Sequence, residues 1–586
     1  MAVTVDPAER RRSDVDTSES VAPWARSLWF HGVLLATLLV VLIPVIGLRG
    51  QLNNDEGSAL VQARQLAEHG TWFVPNRFAQ ADPLGQGYAL ERSTHTDQGF
   101  APLLKHPAYP LVLSVVDRFH GRVGIALLGV FGTIVAALAA ALIARELHPR
   151  LTLWTLWVTG ISSPLFFDAY IVIAHSLAAA GIGVAGLGAV RYLEKRGWVN
   201  LILVACGLAW ANLLRAEALL LGVALSAVLA LVAVRVHRRD RQLAARHVVV
   251  GAVAGTASVL AFLTDRAAVK ALAPTVLASN AFPLASAGYL ADRLNALMLN
   301  WFRFTYNEDR VELLGPLLLG TFSVVLAVGL RRRSGERAVW LVTVAALWIG
   351  SVSWFAFAKS ALIPGLLPAF PLLIVALVAC TRAVFDDRRV AVLAGTFALF
   401  ALAVLATEYS IAGALEWGAR YLAIGLPLIT PVVVVIVDHR YRRMHVHVRR
   451  LSALALVPLL IAPAAVSTKV LRSNHAEWAS VADQVIARAR VTNPGDAGKP
   501  VIVTNDITMP RFVSSTMDQA RWLALTDRNL DPVVARMHRI GIEQFLFVTQ
   551  DRSVHLGNGY TTRSCRPFGT RRINYNACVI VRTTER

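Results

Sequence analysis

The chain has 586 residues, 55% of them hydrophobic and 16% charged, with a formal net charge of +20. Apolar runs of about 18 residues or more, each long enough to cross ~30 Å of hydrocarbon, recur along most of it, which excludes a soluble globular protein and marks a multispanning membrane protein. The positive charge is not a nucleic-acid signal: Lys and Arg gather in short clusters between apolar runs, from Arg10 to Arg12, Arg191 to Arg196, Arg235 to Arg246, Arg331 to Arg337, Arg382 to Arg389 and Arg440 to Arg450, the positive-inside pattern that reports topology.

Residues 1–28 are polar and Arg-rich, and read as a disordered cytoplasmic tail. No small-residue cleavage site follows the first apolar run, so that run is expected to remain as a signal anchor. Window length predicts spans near 30–48, 122–145, 151–167, 170–190, 198–214, 216–235, 248–265, 312–330, 338–356, 361–381, 390–408, 421–438 and 451–468, about thirteen in all. With the N-terminus inside, every basic cluster falls on the cytoplasmic side, and the odd count puts the C-terminus outside. The expected architecture is an α-helical polytopic membrane domain over 29–468, in the plasma membrane, followed by an extracytoplasmic domain over 469–586.

Three polar stretches lie outside. The first, 49–121, is too long for a passive connection; it carries SALVQARQLAEHG and YPLVLSVVDRF, whose apolar spacing predicts surface helices. The second, 266–311, carries FRFTYNEDRVE. In the third, VIVTND, FLFVT and NACVIVR read as strands and DPVVARMHRIG as a helix, giving a small α/β domain. Cys206 and Cys380 fall inside apolar runs. Cys565 and Cys578 are the cysteines of the exported domain and are expected to pair in an oxidising compartment.

Asp55 and Glu56 follow the first apolar run by a few residues. A carboxylate at this mouth of a membrane helix is where an enzyme using a lipid-linked substrate would keep a general base; the same pair also suits the N-terminus of the helix SALVQARQLAEHG, which favours acidic residues. Only one of two adjacent acids can face a given cavity, being about 100° apart on a helix. Farther on, Lys105 and His106 precede Pro107 just before the chain re-enters the membrane. They suit a lipid phosphate, a point charge beside an imidazole, or alternatively a snorkelling lysine in an interfacial loop.

With Asn54-Asp55-Glu56 after the first span, surface helices in the first outer loop and Lys-His-Pro before the second span, the sequence resembles the GT-C superfamily of membrane glycosyltransferases. The likeness covers roughly 30–440 and is to the protein O-mannosyltransferases and the aminoarabinose transferases of lipid A, with actinobacterial arabinosyl- and mannosyltransferases as wider relatives. The segment Arg420-Tyr421-Leu422, with Pro427 five residues on, is similar to their Arg-Tyr-Leu-x-x-x-x-Pro signature. What the resemblance implies is transfer of a sugar from a polyprenyl-phosphate carrier, without a nucleotide and with inversion at the anomeric carbon, by a transferase of the EC 2.4 class. Asp55, with Glu56 beside it, takes the acceptor proton; Lys105, His106 and Arg420 hold the leaving phosphate. This chain has Lys-His-Pro-Ala where the superfamily usually shows a second proline and a leucine.

Further polar residues stand at helix ends. Asp168 stands at the turn of a predicted hairpin and His175 two helical turns further on; superfamily members often carry a second acidic or polar residue near this hairpin, and the resemblance implies that one or the other is its counterpart, while His175 in an apolar span faces either a cavity or a neighbouring helix. Arg215, in LLRAEALL, either binds phosphate or pairs with Glu217 or another helix. Lys359 and Arg420-Tyr421 stand at outer helix ends that run into proline-bearing spans, and Lys359, Arg420, Tyr421 and Arg215 join the candidate phosphate set. No cofactor follows from these residues. A divalent metal on Asp55, Glu56, His106, Asp168 and His175 is chemically conceivable, but no spacing requires it. The expected partners are a polyprenyl-phosphate sugar donor, a cell-envelope glycan or glycolipid acceptor, and membrane lipids. A flippase of lipid-linked sugars is the competing class, though it would place its charges nearer the bilayer midplane and show internal symmetry.

Overall fold

The structure is a computed structural model that describes residues 27–51, 54–85, 87–90, 94–96, 99–273, 289–303, 364–407, 417–444, 446–492, 499–551, 559–570 and 573–583. The predicted spans at 312–330 and 338–356 and most of the tail 1–28 lie outside them. Among the described residues, seven helices are long and apolar enough to cross a membrane: α1 (Leu28–Ile46), α3 (Ala108–Leu147), α4 (His175–Lys195), α6 (Glu217–His237), α7 (Arg241–Leu272), α8 (Arg388–Thr407) and α9 (Arg420–Arg442). Between these come α2 (Asn54–His69) and the shorter apolar α5 (Trp198–Leu214). A single helix, α10 (Val446–Thr492), leads out of the membrane domain.

The helices are joined by close backbone approach as well as by side-chain packing. A Cβ on Gly181 of α4 would meet the Gly207 carbonyl oxygen of α5 at 2.6 Å, and one on Gly207 would meet the Gly181 oxygen at 2.4 Å. Small residues at such crossings matter in a lipid solvent, where apolar bulk gives no preference for protein over lipid.

Several predicted spans take a different form. The surface segment and the span 122–145 are one helix, α3, kinked at Gly121 (φ 57°, ψ −150°). The span 151–167 is an interrupted helical run, Thr152–Trp157 and a π-turn Val158–Ser162, then Leu165–Asp168. Its break falls at Ser163, extended (ψ 164°) because Pro164 follows. The span 361–381 breaks at Phe370 into Leu366–Ala369 and Pro371–Ala379. The span 451–468 does not end at 468; it continues as α10 through the expected domain boundary.

A two-stranded hairpin, β1 (Thr94–Thr96) and β2 (Gly99–Ala101), lies in the first loop, and the C-terminal sheet has the order β4-β3-β5-β7-β6, from β3 (Val501–Thr504), β4 (Arg521–Ala524), β5 (Gln544–Thr549), β6 (Tyr560–Gly569) and β7 (Asn574–Arg582). β4, β3 and β5 run parallel; β7 and β6 are antiparallel to their neighbours. Alternation along β3 sends Val501 and Val503 to one face and Ile502 to the other. Val501 and Val503 pack with Val533, Val534 and Met537 of α11 (Asp527–Arg539), whereas Ile502 packs with Val481, Val485 and Ile486 of α10. Both faces of β3 are therefore buried, as its unbroken apolar run requires. Cys565 and Cys578 stand directly opposite on β6 and β7 and are joined as a disulfide.

This domain and the 49–121 segment form one layer over the same end of the helices. Tyr88 pairs with Leu523 at the sheet edge. Arg64 of α2 is bonded to Asp518, and Arg49 to Asp483 at 2.5 Å. Phe512 stacks on Trp478 of α10, ring centroids 4.4 Å apart.

Candidate active site

Asp55 and Glu56 lie in the first turn of α2, so the helix starts at the carboxylates and not after them. Their directions diverge as adjacency on a helix demands. Glu56 is fully buried and its Oε2 accepts the Val172 N–H at 2.8 Å, tying α2 to the segment before α4. Asp55 is turned elsewhere: its Oδ2 accepts from Arg420 at 2.5 Å, and its side chain stays 30% exposed.

Arg420 is aimed by an unusual backbone. Gly418 (φ 72°) and Ala419 (φ 62°) are consecutive left-handed residues, and Trp417 before them is buried and stacked on Phe167 at 4.9 Å. Alanine at 419 in this region is costly unless the surroundings impose it. They do: a Cβ on Gly418 would meet the Pro164 ring at 2.3 Å, so the turn is wedged against the break in the 152–168 run. The guanidinium carbon of Arg420 also lies 5.9 Å from the Tyr421 ring centre.

Lys105 and Arg215 complete a cluster of positive charge. Burial alone would raise the Asp55 carboxyl, but Arg420, Lys105 and Arg215 outweigh it and hold the group well below the usual carboxylate range. The Lys105 ammonium is pushed down from its ordinary value by burial and by the facing Arg215 and Arg420 charges. Arg215 makes a bidentate pair with Glu217, Nε to Oε2 at 3.1 Å and the terminal nitrogen to Oε1 at 2.6 Å, both residues buried. Three cations thus face two carboxylates. An entering anion would relieve repulsion among the cations, and planar guanidinium groups suit phosphate.

His106, in the left-handed region (φ 55°), bonds through Nδ1 to Asp265 Oδ2 at 3.1 Å. Burial lowers the proton affinity of the imidazole, and Asp265 works against that. His175, at the start of α4, is buried within the fields of Arg215, Arg420 and Lys105. Asp168 is buried in the turn Leu165–Asp168. Lys359 lies outside the described residues. No three His, Cys, Asp or Glu side chains among the described residues come together as metal ligands, so Asp55, Glu56, His106, Asp168 and His175 do not assemble into a metal site.

Sequence reasoning missed Asp265 and Trp417. Asp265 stands at the edge of a predicted span, where an acid reads as the end of the hydrophobic stretch; Trp417 has only the Trp-Gly-Ala-Arg run as a signal.

No family model and no curated protein matches the chain. Solved structures do: ArnT from Cupriavidus metallidurans in the apo state aligns over 94% of this chain and 97% of its own, at 13% identity and a TM-score of 0.50. The fold is that of the GT-C membrane glycosyltransferases. ArnT from the same organism bound to undecaprenyl phosphate aligns over 93% of this chain and 97% of its own at 13% identity and a TM-score of 0.44. The archaeal oligosaccharyltransferase AglB from Archaeoglobus fulgidus, in complex with an inhibitory peptide and a dolichol-phosphate, aligns over 90% of this chain and 70% of its own at 11% identity and a TM-score of 0.43. In this chain, α2, whose first turn carries Asp55, is met by the 511–518 stretch of the C-terminal domain, through the Arg511 carbonyl beside Gly57 and through Asp518 on Arg64.

Proposed function

We propose that this chain is an inverting glycosyltransferase of the plasma membrane that moves a sugar from a polyprenyl-phosphate donor to a hydroxyl of a cell-envelope glycan or glycolipid. The observation that carries the reading is the convergence of one partly exposed carboxylate, Asp55, with Lys105, Arg215 and Arg420 at one end of the helices. The acceptor oxygen attacks the anomeric carbon, and the bond from that carbon to the phosphate oxygen breaks with its electron pair leaving on the phosphate. Asp55 takes the acceptor proton, and Lys105 and Arg420 neutralise the departing charge. An arriving phosphate competes with Asp55 for Arg420, which loosens the ion pair and makes the carboxylate more basic when the donor is bound. The N-terminus is cytoplasmic and residues 469–586 are outside, so the chemistry occurs on the outer face. Cationic side chains supply the charge stabilisation, and chelator is expected to leave turnover largely intact.

The test is a panel of radiolabelled polyprenyl-phosphate sugars offered to purified protein in vesicles with envelope acceptors. Label appearing in acceptor at the expense of donor supports transfer. Label that crosses the bilayer still attached to its carrier, with no new glycosidic product, would establish a translocator instead.

A further inference from the structure

Asp265, in the last part of α7, is a buried acid in a helix long enough to span the membrane. Its Oδ2 lies 3.1 Å from His106 Nδ1, while Oδ1 is buried with no hydrogen-bond partner among the described residues. A carboxylate so withdrawn from water is costly unless it serves a partner, and acids in membrane helices generally do. The partner here is reached across 159 residues of sequence and holds a strained backbone conformation, which the packing of α7 against the Lys105–Pro107 loop must sustain. The charged groups facing the ring are Asp265 from α7, Lys105 from its own loop and Arg215 from the turn between α5 and α6, where Glu217 already engages it.

The contact with Asp265 engages Nδ1 of the ring, which leaves Nε2 as the nitrogen available to a ligand. We propose that Asp265 is a positioning residue that orients His106 so that the imidazolium, through Nε2–H, binds the lipid phosphate and protonates the oxygen released from the anomeric carbon. The proposal rests on the polyprenyl-phosphate reading above. In the step, the carbon–oxygen bond breaks, its electrons stay on the phosphate oxygen, and that oxygen takes the Nε2 proton. The acceptor oxygen forms the new bond and gives its own proton to Asp55. Asp55 then releases a proton to solvent and His106 takes one up.

The experiment measures binding of undecaprenyl phosphate to purified full-length protein in detergent between pH 5.5 and 9. Wild-type affinity is expected to fall as the imidazolium loses its proton. Asp265→Asn removes the charge that favours the imidazolium, so the fall moves to lower pH and binding at pH 7 weakens about tenfold, recovering in acid. Asp265→Glu restores most of it. His106→Gln binds weakly throughout without that step, and adding Asp265→Asn to it changes nothing further, because the two act as one unit. An Asp265→Asn profile superimposable on wild type, or a second equal loss in the double variant, overturns the proposal while leaving the donor reading intact. Should Asp265→Asn fail to fold, the His106→Gln profile decides: retention of the wild-type pH step rules out His106 as its source. Failure of the wild-type protein to bind undecaprenyl phosphate at all sinks both.

Discussion

Arg420 donates to Asp55 at 2.5 Å across 365 residues of sequence, bringing the first turn of α2 and the start of α9 to a single point. The same contact links the residue proposed to take the acceptor proton to one proposed to hold the donor phosphate.

Asp55→Asn keeps size and shape while removing the base. Turnover is expected to fall by about 10²–10⁴ while undecaprenyl phosphate still binds, since Arg420 is then free of its carboxylate partner. Single-turnover rates and binding isotherms on the folded variant check it. Near wild-type turnover in Asp55→Asn would remove the assignment of the base.

Arg420→Gln has two effects of different sign. Donor phosphate binds more weakly, and the Asp55 carboxyl, now buried without its main counter-charge, rises toward its ordinary value. In the wild type that carboxyl is depressed, so the stabilisation from the pair is present at neutral and alkaline pH and is lost only far into acid. The acid limb of the pH–rate profile therefore moves to higher pH in the variant. An unmoved limb would mean that Asp55 is not the titrating group.

Gly57→Ala tests the seat of α2. A Cβ there would meet the Arg511 carbonyl oxygen at 1.9 Å, beside the bond between Gln51 and Ser514. The C-terminal domain and α2 must part to admit it, at a cost of about 1–3 kcal/mol. A lowered melting temperature is expected, together with a fall in turnover larger than that caused by Ser514→Ala, which removes one hydrogen bond.

Cys565 and Cys578 close a short loop between paired strands. Peptide mapping without reductant should recover them linked, and Cys565→Ser should lower stability by about 3 kcal/mol. Two free thiols in protein purified without reductant would remove both expectations.

Much of this was legible in the sequence because the physics was local. β3, β5 and β7 announce themselves as apolar runs, and α11 buries Leu530, Val533, Val534 and Met537 at helical spacing. Asp55, Lys105, Arg215 and Arg420 stand out because charge beside a membrane helix is rare. What stayed hidden depended on distant partners. β6 is a sheet edge whose Thr, Arg and Pro residues are largely exposed, so it shows no alternation. Asp265 acquires meaning only when α7 brings it to His106. Whether Arg215 pairs with Glu217 or with something else is a rotamer question that no spacing answers. The boundary expected at 469 marks where hydropathy changes, not where the helix ends.

That uninterrupted α10, 47 residues and about 70 Å long, has a mechanical consequence. Val466, Val470 and Leu471 pack in the same cluster as Phe167 and Trp417, while Val481 and Val485 hold the sheet. The covering domain is thus keyed to the membrane helices by angular phase: one extra residue inserted near Ser473 would turn the sheet by about 100° about the helix axis, away from α2. Seven extra residues, close to two full turns, would restore the angle but lift the domain by about 10 Å. Neither insertion can be absorbed as slack, because α10 works as a drive shaft rather than a tether.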